Sequence, residues 1–253
     1  MILHYDFQQN TDSIKTPIVF IHGLFGSLSN LGMLARAFAK THSVLQLDVR
    51  NHGKSGHSPE MNYQLMAQDV VETLDHLGLQ HVSLVGHSMG GKIAMRIADL
   101  APERIEHLAV LDVAPYAYQQ NHHDQIFKAL LAVEQADIQT RQQAIDIMKP
   151  FISEDMVIQF LLKSFSKGKW LFNVSALYAH YPDILSWQEQ APWNKPALFL
   201  RGTASPYIAK TEYLDALMRQ FPQAEIQDIS GAGHWLHAEK TTEVLAQLQG
   251  YLA

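Results

Sequence analysis

The segment Gly86-His87-Ser88-Met89-Gly90 sets a serine between two glycines, with Val82-Ser83-Leu84-Val85 before it and Lys92-Ile93-Ala94-Met95-Arg96-Ile97-Ala98 close behind. The first flank reads as a buried strand and the second as a helix. A G-x-S-x-G in that setting is the sharp strand-to-helix turn that presents a serine hydroxyl above a sheet. The glycines have a steric reason. So tight a turn brings the positions two before and two after the serine against other backbone, and a side chain at either would block it. Ser88 then lies at the amino end of a helix, where partial positive charge favours developing negative charge. Attack on a carbonyl carbon is the chemistry open to such a hydroxyl.

A serine hydroxyl is a weak nucleophile near neutral pH and needs a base, usually a histidine oriented by a carboxylate. Of 14 histidines, His234 stands out in Gly231-Ala232-Gly233-His234-Trp235, directly after the last expected strand. Its small neighbours make a loop able to bring the ring to Ser88. His237, three residues on, invites a metal reading, but no third ligand accompanies it and no metal is expected. His122 and His123 would diverge on a helix and are read as solvated. Two phosphate-loop patterns each fail at one residue. Gly86 to Lys92 has the spacing G-x-x-x-x-G-K, but Ile93 replaces the magnesium-binding Ser or Thr, and Asp48 replaces the first glycine ahead of Gly53-Lys54-Ser55. No cofactor is expected.

The elements that must position these groups are short apolar runs, each followed by a turn and a helical pattern. Expected strands are Ile18 to Ile21, Val44 to Leu47, Val82 to Val85, Leu108 to Leu111, Ala197 to Leu200 and the more polar Ala224 to Ile229. Between them, Tyr63 to Leu77 carries Met66, Val70, Leu74 and Leu77 on one helical face. Such alternation predicts an α/β fold with a mainly parallel, doubly covered sheet. Ligands then bind beyond the carboxyl ends of the strands. The alternation stops between about Val113 and Ala191, a stretch without a clear strand that reads as helices, among them Asp124 to Glu134 and Thr140 to Met148. It is rich in aromatic residues, most of them read as packing within the stretch. Leaving the sheet at a strand's carboxyl end, it is expected to form a helical cap (113–191) on a core made of 1–112 and 192–253.

The chain has 253 residues, no cysteine, 47% hydrophobic residues and a formal net charge of -6. Without cysteine there is no thiol nucleophile, cysteine zinc site or disulfide. Mild acidity argues against nucleic acid as a partner. No run approaches the roughly 20 apolar residues of a membrane span. Met1 to Asp6 lacks the basic start and apolar core of a signal peptide. A cytoplasmic protein acting on a small molecule is the expectation, with the oligomeric state left open.

Together with Gly86 to Gly91 and Gly231 to Trp235, the pieces His22-Gly23-Leu24-Phe25-Gly26-Ser27 and Asp48-Val49-Arg50-Asn51-His52-Gly53-Lys54-Ser55 resemble the α/β-hydrolase superfamily. With Leu111-Asp112-Val113-Ala114-Pro115 added, the chain resembles its YbfF-type esterases. The resemblance implies a serine hydrolase fold with a helical cap. It also frames the carboxylate. The superfamily usually places the acid after the strand preceding the histidine strand, here Arg201 to Tyr207, where no acid occurs and Ser205 takes the position. Asp112 ends the strand next to the nucleophile's, from which it can reach the same histidine nitrogen, and YbfF-type enzymes share that arrangement. Asp112 is therefore the expected acid, with helix-turn capping as its alternative role, and Ser205 is a supporting hydroxyl. The oxyanion donors are expected to be the amides of Met89, which follows the nucleophile, and Leu24, positioned by His22-Gly23. Phe25 is the alternative to Leu24.

The expected activity is hydrolysis of carboxylic esters or thioesters, acyl-CoA among them, through an acyl-enzyme on Ser88. Lys163, Lys167 and Lys169 are read as a solvated helix end, with contact to acyl-CoA phosphates as the alternative. Carbon–carbon bond cleavage on the same fold would need arginine clamps for anionic substrates, and this stretch offers only Arg141. A non-enzymatic small-molecule receptor would not need nucleophile, base and oxyanion loop together.

Overall fold

In a computed structural model, which describes residues 1–121 and 123–253, seven strands form one sheet. They are β1 (Tyr5–Gln8), β2 (Ile18–Ile21), β3 (Val44–Leu47), β4 (Val82–His87), β5 (Ile105–Leu111), β8 (Ala197–Gly202) and β9 (Ala224–Ile229). Strands β6 (Phe165–Ser166) and β7 (Lys169–Trp170) form a separate antiparallel pair. The sheet order is β1-β3-β2-β4-β5-β8-β9, parallel except for β1. The apolar runs are the inner strands, and alternate residues serve opposite faces. Val19 and Ile21 pack with α2 (Tyr63–His76) and α3 (Met89–Leu100), whereas Ile18 and Phe20 pack with α1 (Gly32–Phe38) and the helix Thr241–Tyr251. Burial on both faces is why these strands read as continuous hydrophobic runs. The edge strand β1 alternates half-buried with exposed residues, which left it without a signal in the sequence.

Register places the site. Ile21 pairs with Gly86, His87 with Leu111, and Leu111 with Leu200. The residues that follow β2, β4 and β5, which are His22, Ser88 and Asp112, therefore leave the sheet side by side, while β8 continues through Arg201 to Gly202. The expected neighbourhood of Ser88 and Asp112 is a consequence of this pairing.

Between β5 and β8 run α4 (Asp124–Gln135), α5 (Arg141–Met148), α6 (Asp155–Leu162), α7 (Val174–Ala179) and α8 (Tyr181–Leu185). At α5, Thr140 accepts the Gln143 amide while Gln143 accepts back, a capping box that fixes the helix start. Two sequence expectations change here. The stretch does contain strands, the β6–β7 hairpin, whose tight turn at Lys167-Gly168 puts both residues at positive φ. Lys163 follows α6, but Lys167 and Lys169 belong to this hairpin and are not a helix end. The apolar core runs without interruption from the sheet into these helices, through Phe25, Phe127 and Phe172. Among the described residues, no helix is long and apolar enough to cross a membrane.

Candidate active site

Ser88 closes β4 and precedes α3 with φ 54° and ψ -120°, a strained conformation for any residue with a side chain. The flanking glycines make it possible. A Cβ on Gly86 would overlap the carbonyl of Gly90, and one on Gly90 would overlap that of Ile21. Gly23 comes close from the other side, its would-be Cβ standing 3.3 Å from that of Ser88.

His234, in the loop after β9, lies over this turn. The Ser88 hydroxyl donates to His234 Nε2 at 2.9 Å, and His234 Nδ1 donates to Asp112 Oδ2 at 2.6 Å. The two contacts demand one tautomer, with the proton on Nδ1. Asp112 is fully buried, and its φ of 55° is again positive. Its other partners come from the tip of β8. The Gly202 amide donates to Oδ1 at 3.0 Å, and the Ser205 hydroxyl donates to Oδ2 through a short hydrogen bond. A buried carboxylate is tolerable only when several donors compensate its lost hydration, and Asp112 has three. The capping alternative for Asp112 does not describe these contacts.

The loop after β2 is held by two buried imidazoles. His22 Nδ1 donates to the Gly23 carbonyl at 2.8 Å, while its Nε2 accepts the Val49 amide at 3.0 Å. His52 Nδ1 donates to the Arg50 carbonyl at 2.9 Å, and its Nε2 accepts the Phe25 amide at 3.2 Å. Burial lowers the pKa of both, that of His52 to about 3, so each ring is neutral and can accept an amide. The Phe25 amide is thereby committed. Among the described residues the amides of Leu24 and Met89 have no acceptor, and both residues line the cavity at Ser88.

Residues the sequence reading passed over complete the setting. The Tyr207 ring stacks on His234 with centroids 4.0 Å apart and planes at 22°. His87 Nε2 donates to the His234 carbonyl at 2.8 Å, fixing the loop from below. His237 packs edge-on against His87 at 4.4 Å, and burial pushes it down to about 3. Among the described residues no group of three or more His, Cys, Asp or Glu side chains could hold a metal. His123 is not a solvated helix residue. It precedes α4, contacts the Tyr181 hydroxyl at 2.6 Å and lines the cavity. His122 lies outside the described residues. The only signals for His52 and Tyr207 were a motif position and a place near Ser205.

A cavity opens over Ser88 between the strand tips and the helices that follow β5. Leu24, Val113, Ile126, Val157, Phe160 and Ile184 make its walls largely apolar. Tyr118 and Tyr181 line it as well, whereas Phe127, Phe165, Trp170 and Trp187 are buried in the core.

A parallel sheet with a strained serine at its central strand tip, and a histidine within reach, is the arrangement of an α/β hydrolase. Residues 16–129 match the family model for the alpha/beta hydrolase fold, and the chain belongs to that family. It is 51% identical over 238 residues to Esterase YbfF of Escherichia coli (strain K12), covering 94% of this chain and 93% of that protein. It is 37% identical to the sn-1-specific diacylglycerol lipase ABHD11 of Mus musculus, covering 96% and 82%. A solved marine microorganism esterase superposes with a TM-score of 0.93 at 30% identity, covering 99% of each chain. The chain is thus a hydrolase of the esterase and lipase type.

Proposed function

We propose that the enzyme cleaves carboxylic esters through an acyl-enzyme on Ser88. One observation carries this reading: the continuous hydrogen-bonded line Ser88–His234–Asp112 at the floor of an apolar cavity. Ser88 Oγ attacks the ester carbonyl as His234 Nε2 takes its proton, and Asp112 stabilises the imidazolium that forms. The oxyanion sits on the amides of Leu24 and Met89, at the start of α3 where the helix dipole adds to them. His234 returns the proton to the leaving alcohol, the C–O bond breaks, and the acyl group stays on Ser88. Water deprotonated by His234 then attacks the acyl-enzyme and releases the acid. Ser205 supports Asp112, and His22 holds the loop that carries Leu24. Residues 113–191 act as a helical cap on a core of 1–112 and 192–253, a division supported by the cavity walls they supply.

Thioesters, acyl-CoA included, form a second substrate class. Lys163 lines a second cavity together with Arg36, and that cavity shares Asn30, Leu31 and His237 with the one over Ser88. Charge reversal at Lys163, Lys167 and Lys169 should raise KM for acyl-CoA but not for a small neutral ester. Unchanged KM values would remove these lysines from acyl-CoA binding. The central test is release of p-nitrophenol from acyl esters of graded length. Ser88→Ala should lower the rate by roughly ten-thousandfold or more. Equal release by both proteins would refute the acyl-enzyme.

A further inference from the structure

Lys92 is a lysine that neither the sheet nor the chemistry above requires. It lies one helical turn after Ser88 on α3 and is 1% exposed, yet it lines the cavity. Its Nζ donates to the carbonyls of Leu185 at 3.2 Å and Ser186 at 2.9 Å, at the carboxyl end of α8. The rings of Tyr63, Tyr118 and Trp187 surround it at 4.9 to 5.9 Å. An ammonium has three donors, and two carbonyls take two of them. Among the described residues lining the cavity, Lys92 is the one Lys or Arg, and no Asp or Glu joins it. The histidines His22, His87 and His237 there are kept neutral by burial. A largely apolar chamber is thus lined by a buried cation with aromatic and carbonyl neighbours but, among the described lining residues, no counter-ion.

We propose that Lys92 is a specificity-determining residue that binds a carboxylate at the far end of the substrate's acyl chain, making hemiesters of short dicarboxylic acids a preferred substrate class. The proposal rests on the ester-hydrolase reading. Two geometric points favour the acyl side. The alcohol departs toward His234, which protonates it, whereas Lys92 lines the cavity from α3, the helix that begins after Ser88. Lys92 follows Ser88 by four residues and lines the same cavity, so an acyl chain held on Ser88 shares that cavity with the ammonium. A single ammonium without an arginine suits a monoanion better than a phosphate dianion. Burial pushes Lys92 down to about 7, so the cation is present below neutrality and fades above it. The groups facing it do not obscure that titration. Burial raises Tyr63 and Tyr118 far above the range, and Arg96 stands one turn further along α3 over Trp187.

The test compares monomethyl succinate, glutarate and adipate with methyl esters of neutral acyl chains of equal length, with product acids quantified by chromatography. The readout is the ratio of kcat/KM for each hemiester to that for its neutral partner. Wild type should show a ratio above one for at least one length, and Lys92→Met should lower it by about tenfold or more. In wild type the same ratio should fall as pH rises from about 6 to 8.5, because kcat/KM reports ionisations of the free enzyme and those that serve the chemistry alone are common to both substrates. That second arm decides the matter if Lys92→Met does not fold. A ratio at or below one throughout, unchanged in Lys92→Met, or flat with pH, overturns the assignment. Failure of wild type to cleave the neutral esters at all would instead overturn the ester-hydrolase reading beneath it.

Discussion

The two ends of the Ser88–His234–Asp112 line are held by different physics. At the Ser88 end the constraint is steric: Gly86 and Gly90 leave room where any Cβ would overlap backbone, and the chain is forced through φ 54°. At the Asp112 end the chain also turns through positive φ, but the carboxylate is fixed by donors from Gly202, Ser205 and His234. The first end is built within one short segment. The second is assembled from residues 90 or more positions away. A steric constraint is lost with a single methyl group, whereas a hydrogen-bonded one can lose a partner and keep its fold.

The comparison is broken most severely at the carboxylate. Asp112→Asn should lower kcat by roughly a thousandfold to ten-thousandfold, because the imidazolium and its tautomer lose their anion. The melting temperature should move by only a few degrees; wild-type turnover in the variant would remove Asp112 from the chemistry. At the steric end the loss should appear as stability. Gly86→Ala is expected to cost about 3 kcal/mol or more. In a domain of this size that lowers Tm by roughly 6–12 °C, read by calorimetry. A folded, unshifted Gly86→Ala protein would show that the turn has slack the distances deny.

Ser205→Ala should reduce kcat/KM by about tenfold, since it removes one charge-assisted donor and leaves two. Coupling it to Asp112 sharpens the point. In an Asp112→Asn background, Ser205→Asp should regain about tenfold, because the carboxylate then returns from the β8 tip to the same nitrogen. No recovery would mean that the β5 tip alone has the right approach.

The smallest effect concerns the imidazole that braces the Ser88 side. The folded pKa of His52 is lowered to about 3 from 6.5, so below 6.5 the unfolded chain binds the proton that the folded one refuses. Its contribution is fully present above 6.5 and is lost as pH falls toward 3. Tm should decline over that interval, and His52→Gln should make the decline shallower. An unaltered slope would assign acid sensitivity elsewhere, His237 being the next group of the same kind.

The same contrast explains what could be read without coordinates. The inner strands were legible because burial on both faces leaves unbroken apolar runs, and their expected bounds fall within three residues of β2, β3, β4, β5, β8 and β9. Strand β1 was not, since an edge strand that is half exposed carries too little hydrophobic signal, and β6 and β7 are only two residues each. His123 was misread because solvation was inferred from polarity, while its position before α4 and against Tyr181 depends on how the helices pack.

By itself the sequence determined the elbow around Ser88, the parallel sheet, and the small-residue loop that carries His234, because each is written in a local pattern of residue size and polarity. It also offered Asp112, through strand order, with Ser205 beside it. Tertiary structure decided which donors hold that carboxylate, which amide His52 takes from the loop after β2, and that Tyr207 covers His234. It also decided that Lys92, in the sequence only the last residue of a failed phosphate-loop pattern, is buried and lines the cavity. Those facts depend on distances between segments far apart in the chain, and only strand register and helix packing set them.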